Sequence, residues 1–129
     1  MNITFIGIGQ VGSALASNLL KAGHNATIAA RDVQSDSVRN ARQANPALKA
    51  LPMQDALRGA ELVFLATPYQ ANADALAGLD LSGKVLVDCT NPVGPGLTHG
   101  LQSRTSGAEE VQRLAPGAKV VKAFTTYGF

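Results

Sequence analysis

The sequence predicts an α/β domain built on a doubly wound parallel sheet. Short apolar runs with the length of buried strands alternate with helical patterns along all 129 residues, as in βαβ units with right-handed crossovers. Aromatic residues make up only 5% of the chain and tryptophan is absent, so aliphatic side chains must fill the core, which suits a parallel sheet under helices. Six apolar runs predict the strand order 3-2-1-4-5-6 within one domain over residues 1–129.

Strands are predicted over 2–8, 26–30, 48–51, 62–66, 84–88 and 118–124, and helices over 11–22, 36–45, 54–59, 70–77 and 106–114. Gly23 can adopt the left-handed conformation that ends the first helix, and Ser35 can cap the second. Ser106 and Glu109 fit a capping box at the start of the last helix. The glycine- and proline-rich residues 90–104 predict a long connection.

The motif Gly7-x-Gly9-x-x-Gly12 stands between the first predicted strand and the first predicted helix. In that context it is typical of dinucleotide binding, whereas alone it would be only a glycine-rich turn. Gly7 would allow a tight turn, Gly9 would let the backbone approach a pyrophosphate, and Gly12 would let the helix pack close to the strand. The phosphates would then bind the free N–H groups at the helix N-terminus.

The end of the second predicted strand discriminates between NAD and NADP. NAD sites place an acidic residue there, bonded to the ribose 2′-hydroxyl, but here the position is Ala30 and Arg31 follows. Since a guanidinium can bind a 2′-phosphate with two parallel bonds, we expect NADP. Asp32 leaves NAD as an alternative if the strand ends two residues later. A surface ion pair with Asp32 or Asp36 is the alternative for Arg31, and Ser35 is either a second phosphate donor or only a helix cap.

Three segments should meet at the carboxyl edge of the sheet: 67–69, 91–92 and 124–126. Their short polar and apolar side chains could hold a ribose and a carboxamide, but none is an obvious proton donor. The sequence shows no Ser/His/Asp triad pattern, no His or Cys cluster with the spacing of metal ligands, and no phosphate loop of the GxxxxGK[ST] type. We therefore assign no catalytic residue and no metal. We expect Cys89 to be a packing residue and Asp88 to anchor a loop. Direct hydride transfer between two bound cofactors would need positioning more than acid–base chemistry.

Charge and cysteine content exclude several classes of partner. The formal net charge is only +2, which gives no reason to expect nucleic acid or a membrane surface. No apolar stretch reaches the ~18 residues of a membrane span, and the chain begins with a predicted strand rather than a signal peptide. The single cysteine cannot form an internal disulfide and fits the reducing cytoplasm.

Five blocks of the sequence resemble, in order, the NADP oxidoreductases that depend on coenzyme F420: ITFIGIGQVGSALASNL, GHNATIAARD, ELVFLATPYQA, VLVDCTNP and KVVKAFTTYGF. The first block is shared with many Rossmann enzymes, including the 6-phosphogluconate and β-hydroxyacid dehydrogenases, whereas TP-x-x-A, D-x-TNP and KAF-x-T are more specific together. The resemblance implies a Rossmann domain, usually dimeric, that transfers hydride between NADP(H) and a deazaflavin.

The resemblance also assigns cofactor contacts. It implies that the 2′-phosphate binds Arg31. The pyrophosphate would be lined by residues at the start of the first helix: Gly7, Gly9, Gln10 and Val11. The nicotinamide ribose and ring would lie by residues after the fourth and fifth strands: Thr67, Pro68, Asn91 and Pro92. Two positions depart from the family pattern: Ala30 replaces a frequent serine, and Thr125 a frequent asparagine.

The family continues well beyond KAF-x-T, with a part that helps to form the acceptor site and the dimer. We therefore expect this chain to bind NADPH, to turn over little, and to self-associate near its last strand. Two alternatives to the F420-linked oxidoreductase stay open, a reductase of a small carbonyl or imine and a non-catalytic NADP-binding module.

Overall fold

The structure is a computed structural model that describes residues 1–90 and 107–123. Its strands are β1 Asn2–Ile6, β2 Asn25–Ala30, β3 Lys49–Pro52, β4 Leu62–Leu65, β5 Val85–Asp88 and β6 Lys119–Lys122. Its helices are α1 Gln10–Lys21, α2 Asp36–Ala44, α3 Met53–Arg58, α4 Asn72–Leu76 and α5 Gly107–Leu114, and a 3₁₀ turn, Tyr69–Ala71, leads into α4.

The strands form one sheet in the order β3-β2-β1-β4-β5-β6, as predicted. All pairs are parallel, and Ile3 of β1 lies between Ala26 of β2 and Leu62 of β4. The direction of winding reverses between β1 and β4, so a crevice forms at the carboxyl ends of these two strands. The fold is the predicted Rossmann-type α/β fold.

Each face of the sheet carries its own hydrophobic core, because alternate residues of a strand point to opposite faces. On one face Phe5 packs with α1 and α2, and its ring stacks on Phe64 with centroids 5.1 Å apart. On the other face Ile6 packs against the side chains of α3, α4 and α5. There the buried Thr4 hydroxyl donates a hydrogen bond of 2.9 Å to the carbonyl of Ala56 in α3. The helices are thereby packed against both faces of the sheet.

The first helix ends in the predicted manner. Gly23 has φ +92°, and its N–H donates to the carbonyl of Leu20 while that of His24 donates to Leu19. These bonds form a Schellman motif, which satisfies carbonyls that would otherwise lack partners.

Other boundaries differ from the sequence-based expectation. The prediction of β1 as far as Ile8 was wrong, because Gly7 has φ +91° and turns the chain out of the strand after Ile6. The helix predicted over 70–77 is a 3₁₀ turn followed by the short α4. Residue 106 and all of the predicted connection after Thr90 lie outside the described residues. Within residues 1–90 and 107–123, no helix has both the length and the apolar character that a membrane crossing requires.

Candidate functional site

Two glycines of the motif are required by the packing of the backbone. A Cβ added at Gly7 would lie 2.7 Å from the carbonyl carbon of Ala66 and from the nitrogen of Thr67. A Cβ at Gly12 would lie 2.7 Å from the carbonyl oxygen of Gly7. The turn after β1 is therefore pressed between α1 and the segment that follows β4, and only glycine fits at these two positions.

Gly9 is different, because nothing in the described chain explains why it is a glycine. A Cβ there would meet no atom within 4 Å, and its φ of −71° and ψ of −156° suit any residue. Gly9 caps α1, whose first turn has no acidic side chain and whose first N–H groups, at Gln10 and Val11, have no acceptor within the helix. An open surface with free donors and a positive helix end fits a phosphate group.

Two clefts adjoin this turn, each of about 270 Å³. The first lies between the ends of β1, β2 and β4 and is lined in part by Thr67. The second lies between β2 and α2 and is lined in part by Asp32 and Ser35. Gly7 and Arg31 line both clefts. The two clefts thus bring together Gly7, Arg31, Ser35 and Thr67 of the residues that the sequence indicated.

Arg31 follows directly after β2, which ends at Ala30 as predicted. Its guanidinium donates a hydrogen bond to the backbone carbonyl of Asp74 at the far side of the first cleft. The predicted alternative, an ion pair with a neighbouring acid, is absent among the described residues: Asp36 pairs instead with Arg39 at 2.5 Å. Arg31 is exposed, so its guanidinium is accessible to an anion entering either cleft.

Ser35 occupies the N-cap position of α2, but its side chain makes no capping hydrogen bond. Its hydroxyl lies 3.4 Å from that of Ser37, a hydroxyl that also lines the second cleft. Ser35 is thus at the predicted cap position, but the prediction that its side chain caps the helix was wrong, and the residue lines the second cleft.

A buried polar network crosses the carboxyl ends of β4, β5 and β6. Thr67 Oγ1 is 2.7 Å from Asn72 Oδ1, Asn72 Nδ2 is 3.0 Å from Thr90 Oγ1, and Thr90 Oγ1 is 2.6 Å from Asp88 Oδ1. Lys122 Nζ lies 3.2 Å from Asp88 Oδ2 and also donates to the carbonyl of Thr90. Asp88 anchors the start of the following segment, as the sequence indicated.

The other participants in the network, Asn72, Thr90 and Lys122, were not predicted from the sequence. Asn72 is 2% exposed and Thr90 is 3% exposed, and neither lies within a strand where alternation would have pointed to burial. The available signal was Lys122, a lysine at the end of the predicted apolar strand that pairs in register with Asp88 of β5. An acid and a base at the same level of adjacent parallel strands can meet across the sheet.

Cys89 has the properties of a packing residue. Its thiol is half-buried, and burial together with the neighbouring Asp88 carboxylate raises its pKa to about 11, although Lys122 acts in the opposite direction. Since the thiolate is the nucleophilic form, this cysteine is poorly reactive at neutral pH. In the described part of the chain, no group of three or more His, Cys, Asp or Glu side chains could hold a metal ion.

The remaining predicted contacts are only partly described. Pro68 is exposed and Thr67 is half-buried at the first cleft. Asn91, Pro92 and the segment 124–126 lie outside the described residues, so their predicted place beside the nicotinamide stays a prediction.

Residues 2–92 match the model of the family described as NADP oxidoreductase, coenzyme F420-dependent. The chain belongs to this family. A solved structure described as a candidate F420-dependent NADP reductase, from Arthrobacter sp. FB24, superposes with a TM-score of 0.85 at 33% identity, and the match covers 99% of this chain and 64% of that one.

The chain is also similar to two oxidoreductases whose descriptions differ from that of the family. A glycerol-3-phosphate dehydrogenase [NAD(P)+] of Pelodictyon phaeoclathratiforme is 30% identical over 99% of this chain and 41% of its own length. An imine reductase of Streptomyces aurantiacus is 25% identical, with a TM-score of 0.64, over 95% of this chain and 40% of that one. The chain thus spans less than two thirds of each of these proteins, and the relationship is to NAD(P)-dependent oxidoreductases.

Proposed function

We propose that this chain is the NADP(H)-binding domain of an oxidoreductase that transfers hydride between NADP(H) and a deazaflavin or flavin-like acceptor. The observation that carries the proposal is the open surface around Gly9. Of the three glycines in the motif, it alone lacks a packing reason to be glycine, and it stands at the N-terminus of α1. The close approach of a pyrophosphate to its backbone supplies that reason.

NADP is preferred over NAD because of the residues after β2. The strand ends at Ala30, so the position of the usual ribose acid holds an apolar side chain and the following residue is Arg31. The guanidinium and the Ser35 hydroxyl line the same cleft, and both can donate to a 2′-phosphate. Asp32 lines that cleft as well, but its Oδ1 already accepts the backbone N–H of Gln34 at 2.9 Å.

The binding proposal is tested by Gly9→Val, with Gly59→Val as the matched control. A Cβ at either glycine meets no atom within 4 Å, and neither has a positive φ. Both variants should therefore fold, but only Gly9→Val should abolish NADPH binding in calorimetry, because its side chain would occupy the approach of the pyrophosphate. Retained affinity in folded Gly9→Val protein would show that this turn does not hold the phosphates.

The acceptor is proposed from the family and needs a separate assay. F420 reduction by NADPH, followed optically, should be slow but detectable with this chain, and a panel of small carbonyls and imines should not be reduced. The similarity to an imine reductase makes turnover of an imine the second candidate. Tight NADPH binding without any turnover would instead favour a non-catalytic module.

We also propose a cellular location and an oligomeric state. The single free cysteine suits the reducing cytoplasm, and the family resemblance suggests a homodimer. We expect no nucleic acid and no membrane among its partners.

A further inference from the structure

The direction of every hydrogen bond in the buried network follows from Asp88. Its Oδ1 accepts the backbone N–H of Thr90 at 2.8 Å and lies 2.6 Å from the Thr90 hydroxyl, while its Oδ2 faces the ammonium of Lys122 at 3.2 Å. A carboxylate only accepts hydrogen bonds. The Thr90 hydroxyl must therefore donate its proton to Asp88.

The direction of the hydrogen bonds continues from Thr90 to the first cleft. A hydroxyl has one proton, so Thr90 Oγ1 can only accept from Asn72, whose amide nitrogen must be the atom 3.0 Å away. The amide oxygen of Asn72 then faces Thr67 and accepts its hydroxyl proton over 2.7 Å. The proton of Thr67 thus points away from any ligand.

We propose that the network of Lys122, Asp88, Thr90 and Asn72 makes Thr67 an obligate hydrogen-bond acceptor toward the bound dinucleotide. This inference rests on the proposed function, since Thr67 lines the first cleft. A phosphate oxygen offers only lone pairs, so the hydroxyl of Thr67 is excluded as a phosphate ligand. Its partner is a group with a proton to give: a ribose hydroxyl, the carboxamide N–H, or the adenine amino group.

Burial makes this polarity permanent. Asp88 is 0% exposed, Asn72 is 2% exposed and Thr90 is 3% exposed, so water cannot take over their hydrogen bonds. Turning over the Asn72 amide would set its oxygen against the Thr90 oxygen, two acceptors with no proton between them in a dry site, which is unfavourable. Asn72, Thr90, Asp88 and Lys122 are therefore positioning residues, which act on the ligand through Thr67.

The first test compares Thr67→Val with Thr67→Ser in calorimetric titrations with NADPH. Thr67→Val keeps the shape but removes the acceptor and should weaken binding about 3- to 12-fold, the size of a neutral hydrogen bond. Thr67→Ser keeps the hydroxyl and should bind within about 2-fold of the natural protein. The proposal would be overturned if Thr67→Val and the natural protein bound NADPH, 2′-phospho-ADP-ribose and adenosine 2′,5′-bisphosphate with equal affinity.

Three ligands locate the donor. Adenosine 2′,5′-bisphosphate carries the adenine end, 2′-phospho-ADP-ribose adds the second ribose, and NADPH adds the carboxamide. A loss in Thr67→Val that begins with the first, second or third ligand assigns the donor to the adenine end, the second ribose or the carboxamide, respectively. Each of these outcomes supports an acceptor role for Thr67.

A double-mutant cycle tests the role of the network. In an Asn72→Leu background nothing holds the hydroxyl of Thr67 in its acceptor orientation, so Thr67→Val should cost less NADPH affinity there than in the natural protein. Losses that multiply independently would overturn the positioning role. Thr90→Val replaces Asn72→Leu in the cycle if that buried substitution does not fold, because it also removes the polarity.

Failure of this inference can be separated from failure of the proposed function. If the natural chain does not bind NADPH, the proposed function fails and this inference fails with it. If it binds NADPH and loses binding in Gly9→Val but not in Thr67→Val, only the role assigned to Thr67 is overturned.

Discussion

At the carboxyl edge of the sheet, the polar groups after β1 and β2 are exposed, whereas those at the end of β5 are buried. At the ends of β1 and β2 they face open space: Gly9 has no neighbour for a Cβ, and Arg31 is exposed with one backbone carbonyl as its partner. At the ends of β5 and β6 they face each other: Asp88 is 0% exposed and is bonded by Thr90 and Lys122. One half of the edge is left available to a ligand, while the other half is satisfied internally and holds its strand ends in place.

Because of this difference, mutations in the two regions should change different quantities: ligand affinity in the open half and the free energy of unfolding in the closed half. Removing a group from the open half should change affinity and leave stability almost unchanged. Removing a group from the closed half should lower the free energy of unfolding, whether or not a ligand is present.

The largest expected effect is on the closed half. Asp88→Ala removes the acceptor of the Thr90 N–H and leaves the Lys122 ammonium with only the carbonyl of Thr90. It should lower the free energy of unfolding by about 3 kcal/mol, since breaking a buried ion pair typically costs about 3–5 kcal/mol. The control is Asp55→Ala, which breaks an exposed pair with Arg58 at 3.1 Å and should change stability by less than about 0.5 kcal/mol. Urea unfolding measures both, and equal losses would contradict the contrast between the two regions.

The next effect is on the open half. Arg31→Ala should weaken NADPH binding by about 1.5–3 kcal/mol, the size of a charged hydrogen bond, with little change for NADH and with stability within about 0.5 kcal/mol of the natural protein. Arg39→Ala is the control, because Arg39 is also exposed but pairs with Asp36. Calorimetry with both cofactors decides the matter, and equal losses for NADPH and NADH would remove Arg31 from the 2′-phosphate.

The smallest effect concerns Cys89, beside Asp88. With its pKa raised to about 11, this thiol should react with iodoacetamide at pH 8 about tenfold more slowly than an unperturbed cysteine, because the loss of thiolate outweighs the gain in nucleophilicity. The rate should go on rising with pH up to about 11. A rate that levels off near pH 9 would show that the thiol is not desolvated.

The same shift predicts a direction for stability. The folded state holds the Cys89 proton more tightly than the unfolded chain, in which the pKa is near 9.0. The contribution of this group to stability is therefore complete below pH 9 and is lost as the pH rises toward 11. Cys89→Ala should flatten that part of the pH–stability profile.

Local chemistry was enough to predict much of this protein from its sequence. The period of the apolar runs placed every strand and helix of the described chain to within about two residues, and their alternation determined the parallel order. The end of β2 at Ala30, on which the choice between NADP and NAD depends, was predicted correctly. These features depend on neighbours in the chain, whose spacing is visible in the sequence.

Contacts between distant residues were decided only by the tertiary structure. Gly7, Gly9 and Gly12 look equivalent in the motif, but packing against Ala66 and Thr67 separates the two structural glycines from Gly9. The network that joins Thr67 to Lys122 likewise spans three strand ends. Sequence spacing does not encode which polar groups will be buried together, because burial depends on how the whole sheet and its helices close over them.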